Sequence, residues 1–198
     1  MPLRTANPSA RQTELLEAAY AYSLRHGLND LSLRPLAESI GSSTRVLMFL
    51  FGNKDGLVRA LLERARTDEL ALLAELRRPE QPVGLGSAAR EVWAWLAAEE
   101  HRPLLRLWAE AYARSLVDPD GPWAGFARNT VEDWLDVLAE CQPRTERHTE
   151  KGAVLRTLTL AVLRGALLDL LATDDERRVT AAVHQQVALL GGVSHSEG

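Results

Sequence analysis

A single cysteine, Cys141, rules out an internal disulfide, so stability cannot rest on the cross-links of small secreted domains. No uncharged apolar run reaches the roughly 18 residues needed to span a bilayer. The opening residues, MPLRTANPSARQ, hold no apolar stretch of signal-peptide length. The expectation is a soluble, cytoplasmic protein with no membrane partner. Period-2 alternation, internal repeats and low-complexity tracts are also missing. The five histidines (His26, His101, His148, His184, His195) never fall at metal-ligand spacing, and each reads as a surface or packing residue. Asp118-Pro-Asp-Gly121 begins like a calcium loop, but its twelfth position is Asn129 where a glutamate is required. Gly84-Leu-Gly86 follows no strand and so is not a nucleotide loop. With no acid, base, nucleophile or metal set to be found, no enzyme activity, cofactor or metal is expected.

What is present is ordinary for a globular protein: 198 residues, 46% hydrophobic and 25% charged. The net charge of −4 hides an asymmetry: residues 1–60 carry seven basic and five acidic groups, so they stand at +2 and the rest at −6. Affinity for nucleic acid depends on a local basic face rather than on the total.

Apolar residues recur at three and four along nearly the whole chain, which predicts an all-α protein of about nine helices. Ser9 and Gln12 have capping-box spacing and open the first helix, which runs through Tyr22 and stops at Gly27. The second runs Leu33–Ile40 with Ser32 as N-cap, Pro35 being tolerated in the first turn. Gly41 ends it. A third spans about Ser43–Leu50, and Asn53 caps a long fourth, Lys54–Leu76. Pro79–Gly86 reads as a linker. Further helices are expected at Ser87–Glu100, Pro103–Val117, Trp123–Glu140, Glu150–Ala172 and Asp174–Leu190, the last opened by a Thr173–Glu176 capping box. The breaks are Asp118–Pro122, Gln142–Thr149 and Thr173, and the tail Gly191–Gly198 is expected to fray.

Helix, tight turn and short helix over Leu33–Phe51 is the layout of a bihelical DNA reader. The close crossing needs a small residue, which Ala37 supplies, and the turn four residues later favours a left-handed backbone, which Gly41 permits. Leu36, Ile40, Leu47, Leu50 and Phe51 would face inward, leaving Thr44, Arg45, Met48 and Phe49 outward. An ordinary helical hairpin fits this pattern equally well.

The run Leu47-Met48-Phe49-Leu50-Phe51-Gly52-Asn53-Lys54-Asp55-Gly56-Leu57 goes further. It resembles the signature that closes the DNA-binding domain of TetR-family regulators, and Leu16-x-Ala18-Ala19, Gly27, Ser32, Leu36-Ala37 and Gly41 sit at that family's spacing. The resemblance covers about residues 11–60. It implies a helix-turn-helix domain (1–54) and an all-helical effector-binding and dimerisation domain (55–198). It implies DNA contacts from Ser32, Arg34, Ser43, Thr44, Arg45, Met48, Phe49 and Lys54. Ser32 would sit near a phosphate, Thr44 and Arg45 would read bases, and Lys54 would meet a phosphate at a helix N-terminus. Three positions depart from the family pattern: Met48 stands at a usual Tyr, Leu50 at a usual His or Tyr, and Ser42 at a usual Val. Either Met48 and Phe49 pack on thymine methyls with Arg45 as the main polar reader, or DNA affinity is weak.

All five tryptophans lie between residues 93 and 134. They are core packing or the wall of an apolar pocket. In the resembled architecture this region holds the effector cavity, and Arg106, Trp108, Tyr112 and Trp134 are its candidate ligand-binding residues. Wide apolar stripes on the last two helices exceed what a monomer core needs. Leu155, Leu158, Val162, Ala166, Leu170, Val179, Val183 and Val187 are therefore the candidate dimer interface. The reading is a homodimeric repressor released from a double-stranded DNA operator by an apolar or aromatic small molecule. The alternatives are an interaction module of the same fold with weak or lost operator binding, or an all-α enzyme using the aromatic pocket.

Overall fold

The computed structural model describes residues 9–28, 31–76 and 82–193. Among the described residues there are no strands. The elements are α1 (Ala10–His26), α2 (Leu33–Ser39), α3 (Thr44–Phe51), α4 (Lys54–Leu76), α5 (Leu85–Ala97), a 3-10 turn (Glu99–His101), α6 (Arg102–Val117), α7 (Phe126–Cys141), α8 (Arg144–Arg147), α9 (Glu150–Thr173) and α10 (Glu176–Val193).

Two cores organise them. The first gathers Leu36, Leu47, Leu57 and Leu61 from α2, α3 and α4. Leu107 and Ala111 of α6 close it from the far side, with Trp123 and Phe126. The second packs α5, α7, α9 and α10 around Trp93, Leu138 and Leu170. α4 and α6 thus belong to the N-terminal unit and also bound the rest of the molecule.

The helix bounds depart from the sequence reading where local backbone geometry intervenes. A tenth helix, α8, is a single turn in the expected break at Gln142–Thr149, too short to show any periodicity. α5 begins at Leu85 rather than Ser87, and residues 79–81 of the expected linker lie outside the described residues. α7 begins at Phe126 rather than Trp123, because Gly125 is left-handed at φ +77° and breaks the helix behind it. The Thr173–Glu176 capping box does not form. Asp174 takes a left-handed φ of +58° as the C-cap of α9, and Asp175 caps α10 instead, its Oδ1 accepting from the Arg178 N–H at 3.1 Å. Gly191–Val193 continue α10, and the rest of the tail lies outside the described residues. The Ser9–Gln12 pair forms half a box: Ser9 Oγ accepts from the Gln12 N–H at 3.2 Å, but the Gln12 side chain goes elsewhere.

The apolar stripes of α9 and α10 divide differently from expectation. Leu170, Val179, Val183 and Val187 are buried within the protomer, because α10 lies along α5 and its inner line packs there. Each is 3% exposed or less there, so they present almost no surface beyond the protomer. Leu155 and Ala166 are half-buried at the edge of the same core, and Val162 is half-buried. The line α9 leaves exposed is Val154, Leu158, Ala161, Gly165 and Leu168, spaced four and three apart.

Candidate functional site

The α2–α3 helix-turn-helix unit is built from its turn. Ile40 ends α2, and the Ser42 N–H reaches back to the Ala37 carbonyl at 2.8 Å while the Gly41 N–H meets Glu38 O at 3.3 Å. This pair of bonds requires a left-handed residue at position 41, and Gly41 has φ +64°. A Cβ there would meet nothing within 4 Å. Gly41→Ala should therefore cost only backbone strain, about 1 kcal/mol, and Gly41→Asn less, both read by urea unfolding. Ser42, standing where the resembled family has Val, buries a hydroxyl with no partner among the described residues.

α3 is capped by Ser43, whose Oγ accepts from the Val46 N–H at 3.3 Å. Leu47 is buried, while Leu50 and Phe51 are half-buried. From α1, Gln12 Nε2 donates to the Leu50 carbonyl at 3.2 Å and pins the last turn of α3. Thr44, Arg45 and Met48 are exposed, and Phe49 is 86% exposed. Arg45 meets no acidic partner among the described residues. Asn53 Oδ1 accepts from the Gly56 N–H at 2.7 Å, which places the exposed Lys54 at the first position of α4. Ser32 holds the N-cap position of α2, but its side chain makes no capping bond, contrary to expectation. Arg34 is exposed and pairs with Glu38 at 3.1 Å. All eight expected DNA-contact residues are thus exposed, and those from Ser43 to Lys54 run from the N-cap of α3 to the first residue of α4.

Behind this unit, Arg64 of α4 holds Glu17 of α1 at 2.6 Å and also pairs with Asp68. The Tyr20 hydroxyl donates to Asp68 at 2.9 Å. Burial, with Asp68 alongside, raises the Tyr20 phenol well above its ordinary range, so it stays a donor. α1 is therefore locked to α4.

A cavity open on one side lies between α4, α5, α6, α7 and α9, about 730 Å³ when the solvent at its mouth is included. Trp95, Trp108, Trp134 and Phe126 line it, with Leu62 and Ala65 of α4. Of the four expected pocket residues, Trp108 and Trp134 are in the wall. Arg106 is exposed and outside it. Tyr112 is also outside the wall, but its ring lies 5.1 Å from Trp108 and its hydroxyl accepts from Arg164 at 3.2 Å. Arg164 is the charged residue of the lining, and sequence reasoning passed over it. Its signal was a lone charge in the otherwise uncharged run Thr157–Leu168. Glu110 was also missed. Its Oε2 accepts from the Leu28 N–H at 2.8 Å, tying α6 to the end of α1.

His101 stacks on Trp95 at 3.9 Å, and burial pushes the Cys141 thiol up, which keeps it protonated. His195 lies outside the described residues. Among the described residues no group of His, Cys, Asp or Glu could hold a metal, and no helix is long and apolar enough to cross a membrane.

No protein-family model and no curated protein matches this sequence. Solved structures do match. A TetR transcription regulator from Haloarcula marismortui superposes with a TM-score of 0.72 at 16% identity, over 92% of this chain and 97% of that one. A TetR-like transcriptional regulator from Rhodococcus sp. RHA1 gives 0.63 at 20% identity, over 96% and 100%. The multidrug binding protein EbrR, complexed with imidazole, gives 0.63 at 25% identity, over 94% and 96%. Superposing on these structures over nearly its whole length, the chain has the fold of TetR-family transcriptional regulators.

Proposed function

We propose that the chain is a DNA-binding transcriptional regulator, a homodimeric repressor released from its operator by a small molecule. The observation that carries this reading is the outward face of α3. A short capped helix, held from behind by Leu47 and Gln12, presents Thr44, Arg45, Met48 and Phe49 to solvent, with Lys54 beside it. An aromatic as exposed as Phe49 gains nothing in the free protomer and has a use against thymine methyls. Arg45 reads a base edge, and Ser32, Arg34, Ser43 and Lys54 meet phosphates. Residues 1–54 read DNA and residues 55–198 bind the effector and the second copy. The second copy packs on the exposed Val154–Leu158–Leu168 line of α9 with Leu189 of α10, an apolar surface left uncovered in the protomer. The effector enters the cavity behind Trp108 and Trp134, and a structural neighbour described as a multidrug binding protein is seen with imidazole and with proflavin. α4 lines that cavity and starts at Lys54, so its tilt sets the spacing of the two readers. An effector acts only through its differential affinity for the two states.

Selection of bound sequences from random DNA tests the reading. Two-fold symmetric half-sites about one helical turn apart, or multiples of it, are the expected product. Arg45→Ala should cost about 1–3 kcal/mol of operator affinity in a gel-shift titration and relax one base step. The apolar share of the α3 face, Val46, Met48 and Phe49, favours one other reading, a protein-binding module of the same fold. A DNA affinity that barely changes with salt would select the module, because phosphate contacts impose a steep salt slope.

A further inference from the structure

Among the described residues that line the cavity, every side chain but one is leucine, alanine, valine, phenylalanine or tryptophan. The exception is Arg164 of α9, and its guanidinium is already committed within the protein. Its Nη1 donates to the Tyr112 hydroxyl at 3.2 Å, and its guanidinium carbon lies 5.3 Å from the centre of the Tyr112 ring. It is engaged in a further interaction besides. Tyr112 stands outside the lining, so this bond serves the joint between α9 and α6 and not the contents of the cavity. The described lining holds no carboxylate, hydroxyl, amide or imidazole side chain. A charged guest would give up its water here and receive no partner in exchange, which strongly disfavours an ion of either sign. An uncharged guest loses little and gains the burial of its apolar surface. The shape of that guest follows from the rings. Trp95, Trp108 and Trp134 enter the wall from α5, α6 and α7, and their faces and edges pack best against a flat aromatic body.

We infer that the cavity takes an uncharged aromatic molecule, with its ring among Trp95, Trp108 and Trp134, and refuses aromatic anions and cations alike. This rests on the reading of the cavity as the effector site and adds that the effector carries no charge. Arg164 belongs to the frame that joins α9 to α6, so its presence in the wall does not make the cavity an anion site.

Three isosteric probes test this: 2-acetylnaphthalene, 2-naphthoate and 2-naphthamidine. At neutral pH they are uncharged, anionic and cationic, and each is titrated into the full chain by calorimetry. The ketone should bind at least about tenfold more tightly than either ion. Leu104 is a half-buried residue of the lining, so it can accept a charged side chain. Leu104→Glu supplies the missing partner and should raise the amidine's affinity relative to the ketone by about tenfold. The inference is overturned if either ion binds as tightly as the ketone, if none of the three binds, or if Leu104→Glu leaves the ratio of amidine to ketone affinity unchanged. The wild-type series decides the matter even where the variant fails to fold. Repeating the titrations on protein bound to a selected DNA separates the two readings. A ketone preferred over both ions but bound equally with and without DNA removes the ligand-released regulator and leaves this inference standing. An ion that binds more tightly than the ketone and releases the DNA does the reverse.

Discussion

Gly56→Ala is expected to destabilise the chain by about 3 kcal/mol and to cut DNA affinity by more than about tenfold. Gly56 sits in the first turn of α4, where the end of α3 passes directly over it. A Cβ at this position would stand inside the contact distance of the Phe51 carbonyl oxygen, 3.2 Å from its carbonyl carbon and 3.4 Å from Asn53 Oδ1. The obstacle is backbone, so no side chain can swing aside. The strand of chain from Phe51 to Asn53 is also hydrogen-bonded in place, with the Asn53 N–H on Phe51 O at 3.0 Å. To make room, α3 must move off α4. That movement takes Leu47 out of its core and turns Arg45 and Lys54 away from their shared geometry. Gly41→Ala is the control, since its Cβ would meet nothing and only backbone strain is paid there. Urea unfolding and a gel-shift titration on the same preparations give both numbers. A Gly56→Ala protein with wild-type stability and wild-type DNA affinity would mean that the α3–α4 junction is not the rigid element described above.

Trp93→Ala should cost about 3–5 kcal/mol, a large part of the ~5–15 kcal/mol that separates a typical folded domain from its unfolded chain. Trp93 is 1% exposed at the centre of the second core and is among the largest fully buried side chains. Its Nε1 donates to Thr180 Oγ1 at 3.0 Å, which links α5 to α10 across that core. Alanine removes the ring, leaves a cavity and strands the Thr180 hydroxyl. Trp93→Phe separates the terms: it keeps most of the buried ring and gives up the hydrogen bond, so its cost should fall to about 1–2 kcal/mol. Unfolding must be compared at one protein concentration, because association adds to apparent stability. If Trp93→Phe costs as much as Trp93→Ala, the Thr180 bond rather than the packing carries the effect.

The parts of the fold legible in the sequence are those whose cause is local. Gly41 is demanded by the turn it occupies, Asn53 by the free amide of Gly56, and Leu47 by its place between two exposed neighbours on a short helix. Helix bounds failed where a single backbone angle decided them, as at Gly125 and Asp174. The α10 stripe Val179, Val183 and Val187 was visible as a stripe, but periodicity says only that a face is covered and not by what. α5, with its small Ala88 and Ala89 against this core, covers it within the protomer. The cavity residues divided for the same reason. Trp108 and Trp134 were visible by size. The orientation of Arg106 relative to Arg164 depends on how α6 and α9 meet, which no local pattern encodes.

The bond between Glu110 and the Leu28 N–H ties α6 at the cavity wall to the end of α1. Trp108 and Ala111, in the cavity wall, stand within one turn of Glu110 on α6, about 5 Å of helix axis from end to end. Cavity wall and tether are therefore the same short piece of the molecule. A roll of α6 that admits a ring beside Trp108 must swing Glu110 as well, and with it the end of α1, whose first turn holds Leu50 through Gln12. α1 runs 17 residues, about 25 Å, from that tether back to Gln12, so under the proposed function one rigid helix joins the cavity wall to α3.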